Sequence, residues 1–254
     1  MKLANKVAII VGGAGGIGKS TSLLLAREGA KVMIADMDPE PANKVVQEIR
    51  SSGFEASEVI VDMTKEEDAF AMAKATLDKY GHIDILVNVA GGAQGKFIRE
   101  KMGPFAESTK EMWDKIININ LNGARNCTRA VINHMIESHS GKIVSMSSMA
   151  GVQGVRNGTD YAAAKAGIIG FTKALALEMA PLGIQVNCIS PSGVFTPRME
   201  ALSKAKKARD PNAQTLDPST LIAPEEIADI ILFLVSDNIR HLTGENIVVG
   251  MVKG

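Results

Sequence analysis

Short apolar runs alternate along the chain with longer stretches in which apolar residues recur at helical spacing. The runs predict strands at Val7–Val11, Val32–Ala35, Val59–Val61, Ile85–Val87, Ile143–Val144, Ile184–Ile189 and Ile247–Val249. The longer stretches predict helices at about 17–28, 40–52, 65–80, 109–137, 161–180 and 224–235. Because the strand runs are apolar throughout, we expect each strand to be buried on both faces.

This alternation of strands and helices predicts an α/β fold in which helices cover both faces of a parallel sheet. We expect a doubly wound, Rossmann-like sheet of about seven strands, in a single domain over residues 1–254. No internal repeat, low-complexity segment or linker interrupts the pattern. Sheets of this kind bind ligands beyond the carboxyl ends of their strands, so functional residues are expected there.

The composition narrows the class of protein: 46% of the 254 residues are hydrophobic, 22% are charged, and the net charge is zero. This balance indicates neither a nucleic acid nor an anionic membrane as partner. The first strand follows Met1 too soon for a signal peptide, and no run approaches the ~18 residues of a membrane span, so we expect a cytoplasmic protein. Cys127 and Cys188 are expected to be buried free thiols, and no metal site is predicted.

A glycine-rich loop follows the first predicted strand and precedes the first helix. Gly12, Gly16 and Gly18 have the spacing G-x-x-x-G-x-G, with Gly15 and Ile17 between them. Glycines allow a sharp turn and let a pyrophosphate approach the helix N-terminus, where N–H groups and the helix dipole favour anions. We therefore interpret these five residues as the phosphate-binding part of a dinucleotide site.

Asp36 stands at the end of the second predicted strand. A carboxylate at that position accepts hydrogen bonds from ribose hydroxyls and repels a 2′-phosphate. Gly15 and Met37 offer that phosphate no positive charge, so the sequence favours NAD over NADP. The alternative is that Asp36 only forms a turn or caps a helix.

Polar or small residues also end the third and fourth predicted strands. Asp62, followed by Met63, is placed to receive an adenine amino group. Asn88, Ala90 and Gly91 would let a cofactor lie against the backbone. Ordinary turn chemistry is the alternative for both strand ends.

Tyr161 and Lys165 are four residues apart, so a helix would place them on one face. A nearby ammonium favours the phenolate form of a tyrosine, which otherwise titrates near pKa ~10. Ser148 follows a predicted strand and could hydrogen-bond a substrate oxygen that Tyr161 also reaches. Asn120 lies in an Ile-rich helical stretch, where its amide must find partners or bend the helix and hold a water.

These motifs together resemble the short-chain dehydrogenase/reductase family over nearly the whole chain. The matching segments, in chain order, are Gly12–Gly18, Asn88–Gly91, Asn120, Ser148, Tyr161, Lys165, Pro191–Thr196, Pro224–Ala228 and Leu242–Glu245. The segment from Pro191 through Val194 to Thr196 is similar to the one that contacts the nicotinamide in that family.

The resemblance implies the interconversion of a secondary alcohol and a ketone with a nicotinamide cofactor. Tyr161 would be the general base, and Ser148 would orient the substrate oxygen. Lys165 would hold the nicotinamide ribose and lower the pKa of Tyr161. Asn120 would position a water in a proton relay.

The chain departs from the family pattern at a few positions. Val11 and Val89 stand where the family usually has Thr and Asn, and we expect apolar contact between them to replace a polar link. Ser192 replaces the expected Gly after Pro191. Val249 and the residues after it replace an aspartate and a glycine near the C-terminus.

A stripe of small residues on the helix after Tyr161 bears on assembly. The stripe consists of Ala163, Ala166, Gly167, Gly170 and Ala174. Glycine inside a helix lowers stability by up to ~1 kcal/mol relative to alanine. Close packing against another helix would explain why two glycines occur in this stripe. With the resemblance, this predicts a homo-oligomer, a dimer or a tetramer; packing within the subunit is the alternative.

Two loops are expected to shape the substrate pocket, at 91–105 and at 192–218, and the second is expected to be mobile. Their apolar residues are Phe97, Met102, Phe105, Phe195 and Met199, and the basic residues near them are Lys96, Arg99, Lys101, Arg156, Arg198 and Lys204–Lys207. Aromatic and methionine side chains favour a ring-bearing or bulky alcohol. The bases are interpreted as solvated surface, with contact to an anionic substrate tail as the alternative.

The sequence therefore predicts an NAD-dependent dehydrogenase of a small-molecule secondary alcohol. One alternative is an NADPH-dependent ketone reductase of the 3-oxoacyl type, against which Asp36 argues. The other is a non-catalytic nucleotide-binding scaffold, which would be expected to lack Tyr161 or Lys165.

Overall fold

Seven parallel strands form one sheet in the computed structural model, which describes residues 1–95, 98–99, 101–210, 217–239 and 241–250. The strands are β1 (Val7–Val11), β2 (Lys31–Asp36), β3 (Ala56–Ile60), β4 (Ile85–Asn88), β5 (Gly141–Met146), β6 (Ile184–Pro191) and β7 (Asn246–Val249). Their order is β3-β2-β1-β4-β5-β6-β7. The strand order reverses between β1 and β4, which creates a crevice at the carboxyl ends of these strands. The predicted doubly wound sheet is confirmed.

Helices flank the sheet between successive strands. They are α1 (Gly16–Arg27), α2 (Pro39–Ser51), α3 (Glu66–Tyr80), α4 (Lys110–Ile117), α5 (Gly123–Glu137), α6 (Met149–Gln153), α7 (Thr159–Met179), α8 (Pro197–Arg209) and α9 (Pro224–Val235). The short α6 and the longer α8 are not predicted from the apolar pattern. Within the described ranges, every helix is too short or too polar to cross a membrane.

The strands are buried on both faces, as their continuous apolar sequences predict. Side chains alternate along β1, so Val7, Ile9 and Val11 pack with α3, α5 and α7, while Ala8 and Ile10 pack with α1, α2 and α9. Two apolar cores therefore hold the sheet between them. The carboxyl ends of the strands lie at one edge of both cores.

The ends of β1 and β4 are joined through the backbone. The N–H groups of Val89 and Ala90 both donate to the carbonyl oxygen of Val11, each at 2.9 Å. Val11 pairs with Asn88, so the next residue, Val89, points to the opposite face of the sheet. The predicted contact between the side chains of Val11 and Val89 is therefore wrong, because they belong to different cores.

The helix predicted over 109–137 is interrupted. Residues Asn118–Asn122 form a π-helical turn between α4 and α5. There the side-chain amide of Asn120 donates to the carbonyl oxygen of Ile116 at 3.1 Å. A buried side-chain amide here competes for a backbone carbonyl of the helix. The apolar pattern alone does not reveal this competition.

The loop predicted at 192–218 contains a helix at residues 197–209, so the loop assignment is wrong there, and the predicted mobility stays a prediction. The hydroxyl oxygen of Thr196 accepts a hydrogen bond from the N–H of Met199 at 3.2 Å, and Pro197 occupies the first turn. No residue of α8 is buried. A helix without a buried face has no apolar periodicity to predict it. Residues 211–216 lie outside the described residues.

Candidate active site

The loop between β1 and α1 has the geometry of an anion-binding turn. Gly12 has a φ of +77°, and a Cβ at Gly18 would overlap the carbonyl oxygen of Gly12. The first turn of α1 begins at Gly16, and no side chain of the described residues caps it. Open space surrounds the position that a Cβ at Gly15 would take. An uncapped helix N-terminus beside glycines can accommodate a phosphate. This geometry fits the phosphate-binding role predicted for Gly12–Gly18, which includes Ile17.

Asp36 ends β2 next to this loop. Its Oδ2 accepts a hydrogen bond from the N–H of Ala14 at 3.1 Å, and its Oδ1 accepts one from the N–H of Asp38 at 3.2 Å. The carboxylate thus forms a turn, as in the alternative interpretation, and also ties the glycine loop to β2. Each carboxylate oxygen retains acceptor capacity for a ribose hydroxyl. The side chain of Met37 is exposed beside it.

The end of the third strand is a tight turn. The Oδ1 of Asp62 accepts hydrogen bonds from the N–H of Thr64 at 3.1 Å and from its hydroxyl at 2.7 Å. Met63 is held by α5, where the amide of Asn126 donates to its carbonyl oxygen at 3.0 Å. Turn formation accounts for these contacts, and the predicted role of Asp62 and Met63 at the adenine stays a prediction.

The side chain of Asn88 points into the protein. Its Nδ2 donates to the hydroxyls of Thr128 at 3.3 Å and Ser145 at 3.2 Å, and its buried Oδ1 has no partner within the described part of the chain. Asn88 therefore joins β4 to β5 and α5. The predicted cofactor contacts of Asn88, Ala90 and Gly91 stay a prediction, and the inward side chain of Asn88 leaves only its main chain for them.

Ser148, Tyr161 and Lys165 come together at the carboxyl end of β5. Ser148 is the N-cap of α6, where its hydroxyl accepts a hydrogen bond from the N–H of Ala150 at 3.1 Å, and its interaction with Tyr161 lowers the pKa of that phenol. Tyr161 and Lys165 are one turn apart on α7, with the Nζ of Lys165 5.8 Å from the centre of the Tyr161 ring. The ammonium of Lys165 donates to the carbonyl oxygen of Met146 at 2.8 Å. Three of the four residues predicted to be catalytic thus form one cluster.

Burial dominates the protonation of this pair. It raises the pKa of Tyr161, while the hydrogen bond with Ser148 and the positive charge of Arg198 act in the opposite direction. Burial, followed by the charge of Arg198, lowers the pKa of Lys165 to about 7. The largest effect on the pKa of Tyr161 is therefore burial, which raises it. The resemblance implies that Lys165 lowers the pKa of Tyr161, so burial acts in the opposite direction.

Asn120 is buried at the π-helical turn and holds the loop that follows β4. Its Oδ1 accepts a hydrogen bond from the N–H of Gly92 at 2.7 Å, and its Nδ2 donates to the carbonyl oxygen of Gly92 at 3.0 Å. Gly91 lies between the two catalytic candidates: a Cβ there would be 2.7 Å from the Oδ1 of Asn120 and 3.5 Å from the Nζ of Lys165. The predicted water relay through Asn120 stays a prediction.

The segment after β6 lies over the glycine loop. The strand ends at Pro191, and the buried Val194 forms a bridge with Ile222. A Cβ at Gly16 would lie 2.6 Å from the Cγ2 of Thr196, so Thr196 lies directly against the start of α1. The residues predicted to contact the nicotinamide therefore border the predicted pyrophosphate site.

Arg198 is the residue whose position the sequence does not predict. It follows Thr196 by two residues, and its Nη1 donates to the carbonyl oxygen of Gly91 at 2.6 Å. The sequence identifies it only as one of several basic loop residues. Its spacing from Thr196 is the signal that could have placed it at the site.

The other loop bases have different positions. Arg99 forms a buried ion pair with Asp160, with two nitrogen–oxygen distances of 2.5 and 2.9 Å, and so serves the fold. Phe105 is exposed and meets Trp113 edge-on at 6.5 Å. The predicted pocket residues Lys96 and Phe97 lie outside the described residues.

Comparison with known proteins places this arrangement in a family. A family model described as short chain dehydrogenase matches residues 6–207. The chain is 37% identical over 254 residues to 3-oxoacyl-[acyl-carrier-protein] reductase FabG of Thermotoga maritima, covering 100% of this chain and 99% of that protein. It is 37% identical over 249 residues to (2S)-[(R)-hydroxy(phenyl)methyl]succinyl-CoA dehydrogenase subunit BbsD of Thauera aromatica, covering 96% and 95%.

The structural comparison agrees with the sequence comparison. A crystal structure of NAD+-bound xylitol dehydrogenase matches with a TM-score of 0.87 and 30% identity, covering 98% of this chain and 99% of that one. The seven-stranded sheet, the glycine loop and the Ser148, Tyr161 and Lys165 cluster are the features that the resemblance predicts. The chain therefore belongs to the short-chain dehydrogenase/reductase family of nicotinamide-dependent oxidoreductases.

Proposed function

We propose that this protein is an NAD-dependent dehydrogenase of a secondary alcohol that is ring-bearing or otherwise bulky. The observation that carries the proposal is the cluster of Ser148, Tyr161 and Lys165 beside a glycine loop that fits a pyrophosphate. A general base must lie within hydrogen-bond reach of the proton that it takes. The interaction of Ser148 with Tyr161 supports the proposal that one substrate oxygen meets both hydroxyl groups.

The glycine loop and the strand ends would hold the cofactor. Gly12, Gly16 and Gly18 leave room for its pyrophosphate, Asp36 binds the adenosine ribose, and Thr196 lies at the start of α1. When bound, the cofactor would supply the acceptor for the hydride that leaves the carbinol carbon of the substrate.

The proton is handled by side chains of this chain. The phenolate oxygen of Tyr161 takes the hydroxyl proton of the alcohol and becomes a phenol, and the hydroxyl of Ser148 fixes the substrate oxygen. The amine of Lys165 would hold the nicotinamide ribose. Asn120 anchors the main chain of Gly92 next to this group and supports a relay of the proton towards solvent.

Asp36 is the basis for preferring NAD. Its carboxylate would repel the 2′-phosphate of NADP, and the exposed Met37 beside it carries no charge to compensate. The related xylitol dehydrogenase, whose structure contains NAD+, supports this choice.

The preference for a ring-bearing or bulky alcohol rests on the loops around the site. Met102 and Phe195 lie in the loops that border it, and Met199 lies in the first turn of α8; such side chains suit flat or alicyclic groups. The name of the Thauera aromatica relative describes a hydroxyl next to a phenyl ring, which agrees with this preference.

Replacement of the phenol oxygen tests the proposal directly. Tyr161→Phe should lower kcat for alcohol oxidation by about 10²–10⁴-fold and leave NADH binding nearly intact, because only the proton acceptor is lost. NAD-linked absorbance is measured over a panel of cyclic and acyclic secondary alcohols, and NADH binding by its fluorescence. Tyr80→Phe is the matched control, since it removes the phenol oxygen of the other tyrosine. A Tyr161→Phe enzyme with more than a tenth of the wild-type rate would show that Tyr161 is not the base.

A second candidate function is NADPH-dependent reduction of a 3-oxoacyl group. The observation in its favour is the 37% identity to the Thermotoga maritima reductase over the full chain. The same panel separates the two candidates when acetoacetyl-CoA with NADPH is included. A higher kcat/KM for that pair than for any alcohol with NAD would select the reductase.

A further inference from the structure

Arg198 brings a second positive charge to the Tyr161 and Lys165 cluster. Its Nη1 donates to the carbonyl oxygen of Gly91 at 2.6 Å, and its guanidinium atoms lie 2.6–2.8 Å from the position of a Cβ at Gly92. The side chain therefore lies flat against the main chain of two successive glycines. Any larger residue at position 92 would displace it.

The same two glycines connect Arg198 to the catalytic candidates. A Cβ at Gly91 would lie 3.5 Å from the Nζ of Lys165, and Asn120 binds the main chain of Gly92 at both its N–H and its carbonyl. The charge of Arg198 also acts on the pKa values of Tyr161 and Lys165, lowering both. Geometry and electrostatics thus place Arg198 beside the Tyr161 and Lys165 cluster.

No carboxylate of the described residues forms an ion pair with Arg198. Other bases of the neighbouring segments are paired: Arg99 with Asp160, and Lys204 with Glu200. Arg198 uses one nitrogen at Gly91, which leaves the rest of its planar fork of donors for a further partner. A guanidinium without a described counter-ion, next to the catalytic candidates, creates a site that is complementary to an anion.

We propose that Arg198 binds a carboxylate of the substrate, so that the alcohol is a hydroxy acid and its oxidised form a keto acid. The inference rests on the proposed function, because Tyr161 and Ser148 must hold the hydroxyl of the same molecule. A guanidinium matches a carboxylate through two parallel hydrogen bonds. The phosphates of a thioester carrier are many bonds away from the reacting carbon, whereas Arg198 contacts Gly91, where a Cβ would lie 3.5 Å from the Nζ of Lys165. A carboxylate on the substrate itself fits this distance.

Pairs of substrates that differ only in charge test the proposal. The pairs are 3-hydroxy-3-phenylpropanoate with its carboxamide and 3-hydroxycyclohexanecarboxylate with its carboxamide, each with NAD. In the wild type, kcat/KM should be about 10–100-fold higher for the carboxylate of at least one pair, because a hydrogen-bonded ion pair adds free energy of that order. Arg198→Gln should reduce this ratio to about one. Arg198→Lys, which keeps the charge and loses the fork, should give an intermediate ratio.

Lys204→Gln is the matched control. It removes one positive charge from the same helix at a side chain that is exposed and paired with Glu200, so the wild-type ratio should remain. Both members of a pair are measured on the same preparation, so a loss of folded protein cancels in the ratio.

Three results would overturn the proposal. Equal or higher kcat/KM for the carboxamides of the wild type would show that Arg198 does not select an anion. An Arg198→Gln enzyme that keeps its ratio while its KM for NAD rises would assign Arg198 to the cofactor. If the enzyme oxidises neither these compounds nor any alcohol in the wider panel, the proposed function is rejected as well. This result differs from the first two, which reject only the role of Arg198.

Discussion

Lys165 is an ammonium group in a buried position. Burial, followed by the charge of Arg198, lowers its pKa from 10.5 to about 7. Between these pH values the unfolded chain holds a proton that the folded protein has released. The free energy of unfolding should therefore rise with pH above about 7, by at most ~1.4 kcal/mol per pH unit from this group.

A Lys165→Met variant isolates that contribution. The free energy of unfolding of each protein is measured in urea at pH 7 and at about pH 8.5, below the titration of unperturbed tyrosines. The difference between the two values gives the slope of stability with pH. The wild type should gain more stability over this interval than the variant. Parallel slopes would mean that Lys165 keeps its proton in the folded state.

The carboxylate of Asp36 should determine which cofactor is used. Asp36→Ala with Met37→Arg removes a repulsive charge and adds a guanidinium suited to the 2′-phosphate. The ratio of kcat/KM for NADP to that for NAD should rise, tenfold for each 1.4 kcal/mol of altered preference. Met37→Arg alone is the control, because it retains Asp36 and should shift the ratio less. A wild type that already prefers NADP would contradict the assignment of Asp36.

Residues whose role depends on a local motif could be predicted from the sequence, and those that depend on distant packing could not. The spacing of Tyr161 and Lys165 alone predicts that they share a helix face, and both lie four residues apart on α7. The contact of Arg198 with Gly91 joins segments 107 residues apart. The inward rotation of Asn88 likewise depends on Thr128 and Ser145, which lie on other elements.

At the scale of elements, the ion pair of Arg99 with Asp160 links the loop after β4 to the first turn of α7. The exposed fractions of the two side chains are 7% and 5%, and Asp160 also accepts a hydrogen bond from the N–H of Tyr161 at 2.7 Å. Arg99→Ala should lower the free energy of unfolding by about 3–5 kcal/mol, because it leaves a buried carboxylate without its partner. Urea unfolding measures the loss.

An exposed ion pair provides the comparison for that prediction. Lys74→Ala breaks the pair of Lys74 with Asp78, whose side chains are 75% and 63% exposed, and should cause a far smaller loss. Similar losses for the two variants would show that Arg99 is only a surface base, as the sequence suggests.

Elements with a buried face could be predicted, because burial leaves a periodic pattern. The helix at Pro224–Val235 has the predicted bounds, and its apolar residues face the core. α8 has no buried residue, so its only signals are the cap at Thr196 and the proline that follows. The π-helical turn at Asn118–Asn122 depends on hydrogen bonds to Gly92 and Ile116, which the apolar pattern does not report.

At the scale of the whole molecule, the small residues of α7 predict an interface between copies. Ala163, Ala166, Gly170 and Ala174 are exposed in the single chain, and a Cβ at Gly170 would meet nothing within 4 Å. Gly167 differs, because a Cβ there would lie 2.9 Å from the Cδ2 of Leu121, so this part of the stripe packs within the subunit. The exposed part is the part that we expect to pair.

Gly170→Arg should therefore dissociate the oligomer and leave the subunit folded. Gly170→Ala is the control, since it improves helix propensity by up to ~1 kcal/mol and adds only a methyl group. Light scattering coupled to size-exclusion chromatography gives the mass of each variant. A wild-type monomer, or an oligomer that survives Gly170→Arg, would reject this interface.

The π-helical turn between α4 and α5 makes this chain sensitive to length as well as to sequence. Such a turn holds one residue more than the α-helical turn that it replaces. An in-frame deletion of one codon within Asn118–Asn122 would leave an ordinary α-helical turn, so α5 would keep its orientation relative to α4. Cys127 and Val131 would stay in the core, whereas Asn120 would lose its contact with Gly92. In related genes, the gain or loss of one codon here would therefore mark a rebuilt catalytic loop more reliably than many substitutions.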